Sequence, residues 1–179
     1  MRLLRTLAFS LLTIPCALAA PQNSQVPSAA LPSVTAYALD KAKVTLPGDF
    51  ATPFNLLVLS FQRDQQSVVD GWLAVVPPEA NSRVQTWLLP ISQRENLLYR
   101  WWLNASLRAS QAASQPRRYT VPLYVDKVKF LRSLQVSSEQ DVVVLLTDRA
   151  GHVVWRSAGP ATDGKRADLH NFLMKSTAR

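Results

Sequence analysis

The run Leu56-Leu57-Val58-Leu59-Ser60-Phe61 is apolar at every position but one and does not alternate. It is too short for a buried helix and fits a β-strand covered on both faces. Such a strand needs elements above and below it, which confines the chain to layered α/β architectures. Val142 to Leu146 is a second run of the same kind, rich in β-branched residues.

The rest of the chain supplies those layers. Residues 62–74 carry Val68, Val69, Trp72 and Leu73 at helical spacing, and Pro77-Pro78 stops the helix. Val84 to Ile91 reads as a strand closed by Pro90. Glu95 to Gln111 has no Gly or Pro and reads as a long helix. Pro116, Arg117 and Arg118 mark a loop, Val121 to Val125 a short extended piece, and Phe130, Leu131 and Leu134 a small helix. Asp148-Arg149-Ala150-Gly151 is a turn whose return strand is His152 to Arg156, ended by Gly159-Pro160. Thr162 is placed to cap a terminal helix with apolar positions Leu169, Phe172 and Leu173. Upstream, Tyr37-Ala38-Leu39 and Lys43 to Leu46 alternate as short edge strands do, and Pro47-Gly48-Asp49 is a turn.

The first residues read as a secretory signal: Arg2 and Arg5 are positive, Leu11 to Ala19 is largely apolar, and Ala17-Leu18-Ala19 is a cleavage box. The expected organisation is a signal over 1–19, a flexible leader over 20–35 and one α/β domain over 36–179. The alternative to an exported protein of the periplasm or extracellular side is a mitochondrial one, since no acidic residue precedes Asp40. The single cysteine, Cys16, falls inside the signal, so residues 20–179 hold no disulfide, thiol nucleophile or thiolate ligand. The 20 basic and 12 acidic residues give +8. Without Arg2 and Arg5 the balance is 18 against 12, or +6. That surplus serves solubility or attraction to an anionic lipid surface or acidic partner.

The order of elements, with Asp148-Arg149-Ala150-Gly151 between two strands and a Trp155-Arg156-x-x-Gly159 exit, resembles the C-terminal half of thioredoxin-like proteins. The front end, Leu39 to Val44 leading into Phe54 to Phe61, resembles the exported thioredoxin-like and peroxiredoxin-like branches. Leu59-Ser60-Phe61 with Gln66, Asp70 and Trp72, and Trp155-x-x-x-Gly159-x-Ala161-Thr162, is similar to the thioredoxin-like mitochondrial factors that help assemble the membrane part of ATP synthase. The resemblance spans residues 37–175 and implies a three-layer sandwich with a central mixed sheet flanked by helices. It also implies a Cys-x-x-Cys pair directly after the first central strand, where this chain has Gln62-Arg63-Asp64-Gln65-Gln66-Ser67-Val68-Val69. A proline implied just ahead of the strand at Val142 is replaced by Gln140-Asp141, and Pro122 lies too early to stand in. Without a thiolate there is no attack on a disulfide.

Other chemistries find little support. Ser67 lacks a nearby base, His152 and His170 lie far along the chain, and no set of zinc ligands or Gly-rich phosphate loop occurs. No catalytic residue, metal or cofactor is expected. An enzyme using Ser67, Asp64 or Tyr124 is the rival. Asn104-Ala105-Ser106 is a formal glycosylation acceptor within the expected helix. Export argues against a nucleic-acid partner. The expected function is a non-redox module that binds a protein partner, such as a membrane-complex subunit. Arg63, Gln65 and Gln66 form one candidate surface, and Arg100, Trp101, Arg117 and Arg118 the other, because Trp and Arg concentrate binding energy. A lipid surface or a small ligand is the alternative partner.

Overall fold

The run that confines the fold is the middle strand of a sheet. The computed structural model describes residues 29–76, 83–93 and 117–177. In chain order these form β1 (Val34–Tyr37), β2 (Lys43–Leu46), β3 (Phe54–Ser60), a 3-10 turn (Arg63–Gln65), α1 (Gln66–Leu73) and β4 (Val84–Gln93). A second 3-10 turn (Arg117–Tyr119), β5 (Leu123–Val125), α2 (Lys127–Ser133), β6 (Val143–Asp148), β7 (Val153–Ala158) and α3 (Asp163–Thr177) follow. The expected Glu95–Gln111 helix, with Arg100, Trp101 and Asn104, lies outside the described residues.

The main sheet has the order β5-β4-β3-β6-β7 and is mixed. β3 is parallel to β4 and antiparallel to β6, and β6 forms an antiparallel hairpin with β7. Alternate residues of β3 serve opposite faces. Leu57 and Leu59 pack with Trp87, Leu89 and Leu145, under Phe130 and Leu131 of α2 and under Val44 and Leu46 of the β1–β2 ribbon. Leu56 and Val58 pack with Val144 and Leu146, under Val69, Trp72 and Leu73 of α1 and Leu169 of α3. These three layers are the expected sandwich. Full burial of each such side chain contributes about 1.5–3 kcal/mol, enough for a core without disulfides.

Two sequence expectations need correction. The packed domain begins before residue 36: Ala29 and Leu31 are buried, Leu31 donates its N–H to Gly151 O at 2.9 Å, and β1 starts at Val34. Pro90 does not close β4. It pairs in register with Ser60 at the last position of the β3 ladder, and pairing with β5 begins at Ile91, so a missing N–H falls where one ladder hands over to the next. The expected helix over 62–74 is a 3-10 turn followed by α1, and α3 begins at Asp163, directly after Thr162.

The hairpin turn carries a titratable pair. Asp148 accepts from His152 N at 2.8 Å, and its other oxygen lies 3.0 Å from His152 Nδ1. Burial pushes the Asp148 carboxyl up, but the ring and backbone hydrogen bonds of His152 outweigh it and hold the group below the ordinary aspartate range. A depressed carboxyl contributes stability that is present above the ordinary range and lost as pH falls through the folded value. Urea midpoints of the wild type will therefore fall more steeply on acidification than those of Asp148→Asn; equal slopes would contradict this.

Candidate functional site

Because β3 and β6 run antiparallel, with Leu59 opposite Val143, the end of β3, the start of α1 and the loop leading into β6 meet at one end of the sheet. One side chain joins them. Gln65 is 6% exposed, and its Oε1 accepts from Phe61 N at 2.8 Å and Gln62 N at 3.2 Å. Its Nε2 donates to Glu139 O at 3.0 Å and Gln140 O at 3.1 Å. Gln62 Nε2 donates to Glu139 O as well, at 3.3 Å. The Glu139 carboxylate pairs with Lys127 of α2, whose ammonium lies 6.0 Å from the centre of the Phe61 ring. An amide has two acceptor lone pairs and two N–H donors, and Gln65 uses all four across residues separated by more than seventy positions.

Gln65 was expected to face a partner; it is instead the internal clamp that closes the junction. Arg63 and Gln66 beside it are exposed, and Gln66 Nε2 donates to Asp70 Oδ1 at 2.8 Å. A glutamine three residues after Gln62 suggests a helix start, but nothing local announces carbonyl partners at 139 and 140. Replacing Gln65 with alanine removes four hydrogen bonds to part-buried backbone groups, at about 2–4 kcal/mol for the set. A urea midpoint unchanged in Gln65→Ala would refute the clamp.

The other candidates do not converge on this junction. Arg117 and Arg118 are exposed on the second 3-10 turn, and Arg118 lines a cleft with Thr52 and Gln85 at the opposite ends of β3 and β4. The two regions are separated by roughly 20 Å of strand. Ser67 is exposed on α1 at the junction end, whereas His152 sits at the far end, where Asp148 registers with Phe54. His170 is exposed on α3 and Tyr124 is half-buried on β5. Among the described residues no three His, Cys, Asp or Glu side chains cluster as metal ligands.

No protein-family model matches the chain, and no curated protein matches it in sequence. Solved structures are similar to it in three dimensions. BsSco, a member of the Sco family of cytochrome c oxidase assembly proteins, superposes with a TM-score of 0.58 at 11% identity, covering 86% of this chain and 96% of that one. The exposed lipoprotein thioredoxin Etrx1 of Streptococcus pneumoniae gives 0.55 at 12% identity, over 78% and 97% of the two chains. The fold is thioredoxin-like. StoA of Bacillus subtilis matches the same frame, with a TM-score of 0.53 at 9% identity over 81% and 98%.

In this thioredoxin-like frame the junction held by Gln65 is the place where the resemblance implied a thiol pair, after β3 and at the start of the first helix. Gln140 and Asp141 occupy the loop where it implied a proline, and Pro122 lies ahead of β5 at the sheet's edge. The junction offers amides, a guanidinium and an ammonium–carboxylate pair. These groups hydrogen-bond and orient; none of them exchanges electrons.

Proposed function

We propose that this chain is an exported, non-redox thioredoxin-like module that binds a protein partner and assists its assembly or folding at the cell envelope. The observation that carries the reading is the Gln65 clamp at a junction without a thiol, in a chain whose one cysteine lies in its signal-like first residues. A hydrogen-bonded seal keeps the two loops in fixed relation and leaves Arg63 and Gln66 at the surface, a layout suited to recognition. Disulfide exchange requires a thiolate, so reductase activity is not part of the reading. The Sco family membership of BsSco, and the sequence resemblance to ATP synthase assembly factors, favour a membrane-complex subunit as partner. Excess positive charge would bring the module to an anionic envelope surface.

A crosslinking pull-down of residues 20–179 from envelope extract tests this. The expected result is one reproducible membrane-complex subunit, depleted in Arg63→Glu and in Trp101→Ala. Unchanged retention by both variants, or an empty pull-down from a folded sample, contradicts the reading.

A further inference from the structure

The end of the sheet remote from Gln65 carries a cleft of its own. Its walls are Lys43 of β2, Asp49 and Thr52 of the following loop, Trp87 of β4, and Arg118 and Tyr119 of the second 3-10 turn. The space is about 370 Å³, the size of a small-ligand site. The aromatic wall is fixed from behind. Trp87 is 4% exposed, meets Tyr119 edge-to-face at 5.2 Å and tilts against Phe50 at 5.7 Å. Its indole N–H is already given to Asn55 Oδ1 at 3.1 Å, so that wall is held without drawing on a ligand.

The charges are arranged differently. Asp49 Oδ2 accepts from Thr45 N at 2.7 Å, which holds the carboxylate in place. Lys43 and Arg118 are both exposed at the cleft, and among the described residues neither side chain makes a hydrogen bond or ion pair. Two cations and one anchored carboxylate leave the cleft at +1, matched to a single negative charge. A guanidinium receives a carboxylate in a planar, two-point contact, while an aromatic wall takes an apolar body.

We propose that this cleft binds a small organic monoanion, its carboxylate between Lys43 and Arg118 and its apolar body against Tyr119 and Trp87. The site is independent of the Gln65 junction and of any protein partner bound there.

Benzoate is the probe, titrated into isotope-labelled residues 20–179 and followed by amide and indole NMR shifts, with benzylamine and benzyl alcohol as controls. The proposal expects saturable benzoate shifts confined to residues 43–52, 85–87 and 118–119 and the Trp87 indole. It expects at least about tenfold weaker binding in Lys43→Ala/Arg118→Ala. Tyr119→Ala, a second variant removing no charge, is expected to weaken benzoate as well. Non-saturable shifts, equal affinity for benzylamine or benzyl alcohol, or unchanged affinity in the double variant overturns it.

Discussion

Trp72→Ala will lower the unfolding free energy by about 3–5 kcal/mol, the cost of emptying a fully buried aromatic site. Trp72 lies on α1 against the sheet, and its Nε1 donates to Gly159 O at 2.8 Å. Its ring meets Trp155 of β7 nearly edge-on at 6.1 Å. It therefore ties the helix after the junction to the turn between β7 and α3. Alanine opens a cavity and also strands the Gly159 carbonyl. Against a total stability of about 5–15 kcal/mol, that is a large fraction. In thermal unfolding it amounts to roughly 10 °C or more. Trp72→Phe keeps most of the volume but loses part of the indole bicycle and its N–H donor, so it should cost about 1–3 kcal/mol. Equal, small losses in both variants would show that α1 is not anchored through this side chain.

Gly151→Ala is the second large effect. Gly151 closes the β6–β7 turn with φ +89°, a conformation that costs an L-residue about 1–2 kcal/mol. Space is the further obstacle. A Cβ there would lie 2.9 Å and 3.0 Å from two Pro47 ring carbons and 3.4 Å from Leu31 Cβ. Overpacking of that kind adds about 1–3 kcal/mol, for a total of about 2–5 kcal/mol. Gly151 O also receives the Leu31 N–H, and Val153 N donates to Ala29 O at 2.8 Å, so the variant should loosen the first packed residues together with the turn. Faster amide exchange at Leu31 and Val153 reports this. Gly164 is the control: it lies in α3 with nothing within 4 Å of its would-be Cβ, and alanine there is expected to be neutral or to stabilise by up to about 1 kcal/mol. Equal effects at the two glycines would contradict the account of the turn.

What could be read in the sequence follows from the range of the interactions involved. β3 and β6 are legible because a strand buried on both faces carries a continuous apolar run, Leu56 to Leu59 in one and Val143 to Leu146 in the other. The β6–β7 turn is legible because Gly151 supplies a conformation other residues avoid. The fold class follows once such strands alternate with helices. Pro90 misled because a proline's cost depends on which ladder needs its N–H, and that is set by β5, more than thirty residues later. The leader reading failed over 29–35 because its packing depends on the distant turn at Gly151. Gln65 reads from the sequence as a surface residue open to a partner, and in the fold it is buried. A glutamine at a helix start looks solvated until carbonyls from the far loop arrive. Arg63 and Gln66 stand at the surface as expected, while Arg117 and Arg118 belong to a separate end of the sheet.

Site-specific photocrosslinking in intact cells tests the central claim most directly. A benzophenone side chain would be placed at exposed Gln66, beside the clamp, and in a second strain at exposed Met174 on α3. The account predicts a discrete crosslinked protein from position 66 that is absent from position 174 and persists under reducing conditions. Identical products from both positions, or a position-66 adduct that depends on a disulfide with the partner, would contradict a binding surface built on a sealed, thiol-free junction.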